Sequence, residues 1–437
     1  AGEVIENNSI VEMAYDPSRE AGWRWRPLRV RFDKTAELRS GGRNFGNAYH
    51  VANSNWHSLH NPVTLDMLVG REPIPDELAD SDIYYNSKGA GQATKAMRNF
   101  HNLYVKQLVV GAIAQEGDSL VDLAVGKGGD LPKWINAKLG FVFGMDISRD
   151  NIENGVDGAC ARYLNYKSKF DKVPVCLFAQ GDAGKNVADG AAFAKQEGAK
   201  TLRTLMGLES GDDPALGRVC IANRGIAKDG FGACSIQFAL HYLCSDIGTL
   251  AGCLRNISEV TRVGGRFACT AFDGSAVFKM LRSMTKGESI QLSRTKGERM
   301  WSITKEYSAA EFPPDVSSLG LAVDVFQDSI NQSIREYLVN FDYITLLLES
   351  FGFVPISKEE ATRVGLPASA DGFRALFRQM NEKRESKARY GMASRMSDEE
   401  KQVSFLNRYA IFKKARDVDA KAAEARLVEG LESQNKT

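Results

Sequence analysis

The residues of this chain best suited to chemistry lie in VDLAVGKGGDL, residues 121 to 131. Three glycines, Gly126, Gly128 and Gly129, fall where a predicted strand ends and a predicted helix begins, so a ligand can approach the main chain closely. Asp146 ends the next apolar run, FVFGMD, 20 residues past Gly126. At that spacing a carboxylate accepts both hydroxyls of a ribose. Asp182 follows a third run, CLFAQGD, where it meets an adenine edge. A dinucleotide site needs GxGxxG, and AVGKGGD does not supply it. Asp122, Gly126, Asp146 and Asp182 therefore describe an adenosine pocket without a pyrophosphate grip, which suits S-adenosylmethionine.

These residues need rigid elements behind them. Helical spacing of Met97, Phe100, Leu103, Tyr104 and Leu108 predicts a helix across 90–113. After it come a strand at 119–125, a helix at 130–138, a strand at 141–146, a helix near 149–164 and strands at 174–179 and 232–238. A helix at 246–261 and a strand at 266–272 complete the series. Such alternation predicts an α/β fold with a mostly parallel sheet and helices on both faces. Residues 183–230, rich in Gly, Ala and Asp, read as an insertion. In residues 1–75, Leu28, Val30 and Phe32 alternate with Arg29, Arg31 and Asp33, the period of half-buried strands, so a small β-rich module is expected. The acids and prolines between Glu72 and Ser87 read as a linker, with the second domain spanning 76–416. The charged tail, 417–437, is expected to be a solvated helix that frays into disorder.

Composition is less decisive. A chain of 437 residues that is 43% hydrophobic has room for two or three domains, and a net charge of +1 gives no global field for a nucleic acid. A nucleic-acid partner must meet local basic patches. The seven cysteines form no CxxC pair and sit in apolar runs, so reduced thiols inside a cell are expected. No apolar run is long enough to span a bilayer, and residues 1–16 lack a signal pattern. The chain does not start with Met and reads as part of something longer. Trp23, Trp25 and Trp56 either stack on RNA bases or pack in the core. His57 and His60 have no further matching ligands for zinc.

Three stretches carry a narrower signal. FHNLYVK (100–106), DLAVGKGGDLPKW (122–134) and SIQFALHYL (235–243) resemble the mRNA cap guanine-N7 methyltransferases, and REYLVNFDYITLLLESFGF (335–353) resembles a fourth stretch of that family. The likeness runs over roughly residues 82–415. It implies a class I, Rossmann-like methyltransferase domain binding S-adenosylmethionine. By the same resemblance Lys106, Asp122, Ala124, Gly126, Asp146, Asp182, Gln237 and Tyr242 fall at cofactor positions. Asn102, Lys127, Lys133, Arg162, His241, Glu336 and Tyr409 fall where the cap guanine and its triphosphate are held. The family has Gly where this chain has Ala124, and a methyl group there is harmless only if φ is below zero. Guanine N7 has a lone pair and no proton, so it attacks the sulfonium methyl without a general base. His241, Glu336 and Tyr409 position the base, and Lys127 and Lys133 take the phosphates.

Residues 25–41 and 45–64 resemble the OB-type end of an RNA guanylyltransferase from a fused capping enzyme of large DNA viruses, poxvirus-like in its spelling. Arg31, Asp33 and Lys34 match its RxDK pattern, while KxDG is absent. The resemblance thus implies capped RNA, a missing guanylyltransferase portion and, as in poxvirus relatives, a small activating subunit as partners. It implies no membrane, and an intracellular place: viral factory in the host cytoplasm, virion or nucleus. Two other readings stay open: a methyltransferase for another RNA position or a small molecule, and a non-catalytic RNA-binding or assembly module.

Overall fold

The computed structural model describes residues 4–16, 18–42, 45–47, 51, 55, 94–209, 213, 216–293, 299–327, 332–382 and 389–434. The chain divides between Ala79 and Asp80 into two units.

In the first unit, β1 (Val11–Tyr15) and β2 (Trp25–Val30) form an antiparallel ribbon. The alternation of residues 28–33 predicts strand throughout, but β2 stops at Val30 and a helix occupies Phe32–Arg39. Asp33 in its first turn suits the positive end of the helix, and Arg31 pairs with it at 3.0 Å. This ribbon and one helix do not by themselves make the OB-type module expected for residues 1–75. Most of the stretch 45–64, with Trp56, His57 and His60, and the linker expected at 72–87 lie outside the described residues. Trp23 is exposed, and Trp25 meets Tyr15 edge-on at 5.0 Å.

The second unit starts with a helix at Lys95–Asn99, a π-helical stretch at Phe100–Val105 and a helix at Lys106–Ile113. The parallel core follows: β3 (Ser119–Asp122), β4 (Phe141–Asp146), β5 (Val175–Gln180), β6 (Phe231–Gln237) and β7 (Thr261–Phe272). A separate antiparallel sheet holds β8 (Ser289–Ser293), β9 (Arg299–Lys305), β10 (Ala322–Gln327) and β11 (Gln332–Tyr337). Then β12 (Phe353–Pro355), β13 (Ala370–Gly372) and β14 (Asn407–Lys414) return to the main sheet. Its order is β12-β14-β7-β6-β3-β4-β5, with β14 antiparallel to β7 and β13 paired to β14. This is a mostly parallel α/β sheet in which β14 runs antiparallel. The apolar runs predicted it, because strands buried on both faces, such as β4 with every residue buried, read as continuous hydrophobic stretches.

The chain winds outward from β3 through β4 to β5, then returns to the other side of β3 with β6 and β7. A crevice opens at such a switch point, outside the carboxyl ends of the strands. Asp122, Asp146 and Gln237 are the last residues of β3, β4 and β6.

Two expectations need correcting and a third gains detail. The helix near 149–164 is two helices, Arg149–Glu153 and Ala159–Lys167. The segment 183–230, read as an insertion, is packed against the core, with Ala183, Val187, Ala192, Leu202 and Leu205 buried. Asn256 pins the segment, donating to the Ala183 and Lys185 carbonyls while accepting from the Val187 amide. The tail does not fray from residue 417: a helix spans Ala420–Gln434, with Ala420 and Ala423 buried. Arg255 bridges Glu259 and Glu424 at 2.7 and 2.8 Å, tying that helix to Ile247–Val260.

Candidate active site at the carboxyl edge of the sheet

Asp146 organises the glycine loop. One carboxylate oxygen accepts from the Gly126 amide at 2.8 Å; the other accepts from the Ser148 amide at 3.0 Å and Asn151 Nδ2 at 2.9 Å. A carboxylate has about four lone-pair sites, so acceptor capacity remains for a ligand hydroxyl. Gly126 and Gly128 have φ of +53° and +68°, backbone that favours glycine, and a Cβ on Gly128 would stand 3.4 Å from Ala159 Cα. The two glycines therefore bend the chain and let the helix at Ala159 approach it. Burial, and next the Asp130 charge, push the Asp122 carboxyl up to about 8. Its Oδ1 accepts from the Ala124 amide at 3.1 Å. Ala124 is not among the residues with positive φ, so the methyl group costs no backbone strain. Ala124→Gly is expected to change S-adenosylhomocysteine affinity less than threefold while lowering stability by about 0.5–1 kcal/mol through added chain freedom. Calorimetry and a denaturation curve on the same preparation check both numbers.

Around the loop runs a chain of charges that motif reading missed. Asp130, at the start of the helix Leu131–Asn136, lies 3.0 Å from Lys106 Nζ and 3.3 Å from Lys133 Nζ. Lys133 also donates to the Gly129 carbonyl at 2.9 Å. Lys127, only 2% exposed, is held by Asp150 at 2.9 Å and Asp157 at 3.0 Å. Both lysines expected to meet phosphates are thus already committed, because a buried ammonium is stable only when paired. Arg162 is different. Its side chain makes no hydrogen bond or ion pair to a described residue, and its guanidinium stands 3.9 Å from where a Cβ on Gly129 would lie.

Asp182, half-buried past β5, accepts from the Gly184 amide at 2.9 Å and lies 3.5 Å from Lys185. Gln237 donates to Ser235 and to the Ala268 carbonyl and accepts from Thr270 at 3.1 Å, so it is anchored within the sheet. Phe238, next in sequence, has φ of +57°, a strained setting for an aromatic residue. Its ring stacks on His101 at 5.4 Å and faces Lys106 at 5.4 Å, while His101 bonds to Ser404 at 2.8 Å. Nothing in the residue type of Phe238 signals that turn. Asn102, on the π-helical stretch, donates to the Arg98 carbonyl at 3.1 Å.

On the far side of Gln237, the 3-10 turn Leu240–Cys244 carries His241, and β11 carries Glu336. The two side chains are buried, with His241 Nε2 3.8 Å from Glu336 Oε1. Among the described residues neither ring nitrogen of His241 has a hydrogen-bond partner. Burial pushes Glu336 up to about 8 and His241 down to about 3. At neutral pH the pair is a neutral imidazole beside a mostly protonated carboxyl. The Tyr242 ring packs against His241 at 4.1 Å. Tyr409 is fully buried opposite Thr270 in the sheet register, and its hydroxyl donates to the Ala368 carbonyl at 2.9 Å. No cluster of metal-ligating side chains occurs among the described residues, and no helix among them is long and apolar enough to cross a membrane.

A family model described as the mRNA (guanine-N(7))-methyltransferase domain matches residues 84–198 and 219–415. A probable mRNA-capping enzyme of Acanthamoeba polyphaga mimivirus is 27% identical over 362 residues, covering 77% of this chain and 29% of the relative. An mRNA cap guanine-N(7) methyltransferase 1 of Oryza sativa subsp. japonica is 27% identical over 254 residues, 57% of each chain. An mRNA-capping enzyme of African swine fever virus is 21% identical over 340 residues, 77% of this chain and 34% of the relative. The chain spans between about a third and somewhat over half of these relatives' lengths.

Proposed function

Because the chain belongs to the mRNA (guanine-N(7))-methyltransferase domain family, we propose that it methylates N7 of the guanine in the GpppN cap of an mRNA, with S-adenosylmethionine as methyl donor. The observation that carries the cap reading is the buried His241–Glu336 pair, with both imidazole nitrogens unpartnered among the described residues. Buried polar groups left without partners are rare and call for an explanation. A guanine offers N1–H and the exocyclic amine to a carboxylate, and O6 to a ring N–H.

The loop fits the donor. Asp146 has spare acceptor capacity for a ribose hydroxyl, Asp182 for the adenine amine, and the glycine loop with Ala124 gives close main-chain approach. Asp122, Lys106, Gln237 and Tyr242 border the amino-acid end. When bound, S-adenosylmethionine supplies an electrophilic methyl group on a sulfonium. No side chain has to remove a proton from N7. The task of the chain is therefore to hold the guanine in line and to exclude water. Glu336, once ionised against the guanine edge, also stabilises the positive charge that grows on the ring. Lys106, Lys127 and Lys133 contribute through the salt-bridged frame around the loop, and Arg162 is the cation open to the cap phosphates, with Asn102 nearby in the family pattern.

We take residues 1–75 as the end of a guanylyltransferase portion, because RVRFDK carries its phosphate-contacting pattern and viral relatives are capping enzymes. On this reading the natural partners are capped RNA, the rest of the guanylyltransferase and a small activating subunit, inside an infected cell. The test is direct. The chain is incubated with GpppG-RNA and labelled S-adenosylmethionine, and the digested product is examined for 7-methylguanosine; methyl transfer to any other position, or to none, overturns the proposal.

A further inference from the structure

We propose that the helix Ala159–Lys167 and the turn after it bind the RNA strand that follows the cap; this rests on the cap reading of the site.

The helix begins at the glycine loop, where Ala159 touches the position a Gly128 side chain would take, and its first full turn places Arg162 over Gly129. From Arg162 the chain runs outward. Lys169 lies seven residues on, in the turn past the helix end at Lys167, and the helical steps from Arg162 to Lys167 alone span roughly 7.5 Å at 1.5 Å per residue. Residues 158–174 contain Arg162, Lys167, Lys169 and Lys172 against one acid, Asp171. Lys169 and Lys172 are exposed, and neither has an ion pair with a described residue. Lys127, Lys133, Lys138, Lys185, Lys195 and Lys200 are by contrast salt-bridged, while Lys228, Lys279 and Lys358 are likewise exposed without an ion pair to a described residue, so the rings and the place beside Arg162 are what single this stretch out.

Aromatic rings interleave with these cations. Phe170 is 51% exposed and stacks on Tyr166 at 5.5 Å with 26° between the planes; Lys167 faces the Tyr163 ring at 5.7 Å. One face of the Phe170 ring rests on Tyr166, which holds the ring without loss of its outer surface. Unpaired cations spaced along a backbone path, with a supported aromatic face between them, are what a single strand needs: charge for phosphates and a platform for a base. The path is continuous with Arg162, the uncommitted cation at the loop. A folded acidic protein would satisfy the charges but would not need a stacked, outward-facing ring beside them. RNA is the occupant both features fit.

The experiment compares the full chain with K169A/K172A and with F170A. Substrates are the dinucleotide GpppA and an unstructured 20-nucleotide RNA with the same cap. Wild type should show a lower KM for the RNA than for the dinucleotide. In K169A/K172A the RNA KM should rise roughly fivefold or more, and the log-log salt dependence of RNA binding should flatten by about 1.4, two phosphates at 0.7 each. F170A should raise the RNA KM roughly fivefold or more without changing that slope. GpppA turnover and S-adenosylhomocysteine affinity should stay at wild-type values in all variants, which also reports that they fold. An RNA KM that the variants leave unchanged, or that in wild type equals the dinucleotide KM, overturns the proposal. So does loss of self-association in the variants with RNA KM intact, which would give the face to a second copy. A wild-type chain that methylates neither substrate defeats the cap reading instead, a different result.

Discussion

Replacing Glu336 by Gln is expected to lower kcat/KM for cap methylation roughly 100-fold or more, the loss of about 3 kcal/mol when a buried charged acceptor is replaced by a neutral group. Gln retains one acceptor oxygen but turns the other position into an NH2 that faces the donors of the guanine edge, so the substitution adds a repulsive contact to the lost charge. The same variant separates two pH effects. In the free chain Glu336 is pushed up to about 8, so binding a guanine through the carboxylate first requires release of a proton. Activity of the wild type should therefore climb with pH up to about 8, and this limb should vanish in Glu336→Gln. Stability runs the opposite way. A carboxyl whose pKa is raised on folding stabilises the folded state fully below its unfolded value of about 4.3, and that contribution is lost as pH rises through 8. Melting temperature measured from pH 5 to 9 should fall for the wild type across this window and fall less for the variant. His241, pushed down to about 3, gives the complementary loss on the acid side: below pH 6.5 the unfolded chain gains a proton that the folded chain does not accept. A Glu336→Gln chain that methylates GpppG-RNA at the wild-type rate would remove Glu336 from the guanine site.

The two halves of the site differ in how far they could be read from sequence. Asp122, Gly126 and Asp146 lie within 25 residues on a strand-turn-helix-strand unit, and local periodicity fixes where each strand ends. Their geometry follows once the parallel sheet is accepted. Glu336 offers no such handle. It sits on β11, whose partner β10 is in turn paired with β9, and the weakly alternating run QSIREY does not announce a half-buried strand. Family likeness singled it out, while the four-stranded sheet that presents it was not predicted. Charge pairing was equally hidden. Lys127 reads as a free cation in a loop, yet Asp150 and Asp157, 23 and 30 residues on, close around it because the chain breaks between two short helices there. At that break a Cβ on Gly158 would stand 2.7 Å from the main chain of Asn154, a close approach with no periodic signature. The tail was misread for a related reason: it docks through Ala420 and Ala423, and small residues in a charged helix look like solvated surface.

Asp146→Ala should be the most damaging change on the cofactor side. Its carboxylate serves the Gly126 and Ser148 amides and the Asn151 side chain, all inside the fold, as well as the ribose hydroxyl it is proposed to hold. Alanine leaves three donors without an acceptor, and two or three buried unsatisfied groups at about 1–3 kcal/mol each put the loss at several kcal/mol of stability. S-adenosylhomocysteine affinity should drop roughly 100-fold or more, since both the ribose contact and the shape of the loop go together. Two further variants divide those causes. Asp146→Asn retains one acceptor oxygen and should recover much of the stability while binding stays weak, because the internal donors take up that oxygen and leave no site for a ribose hydroxyl. Asn151→Ala removes one of the three internal bonds and leaves the carboxylate intact, so it should cost about 1 kcal/mol of stability and less than fivefold in affinity. If Asp146→Asn binds S-adenosylhomocysteine as tightly as the wild type, the carboxylate shapes the loop without touching the ligand, and the ribose must be held from elsewhere on the carboxyl edge. If it binds weakly while Asn151→Ala does not, the affinity resides in the carboxylate itself, and the three internal bonds serve to aim it.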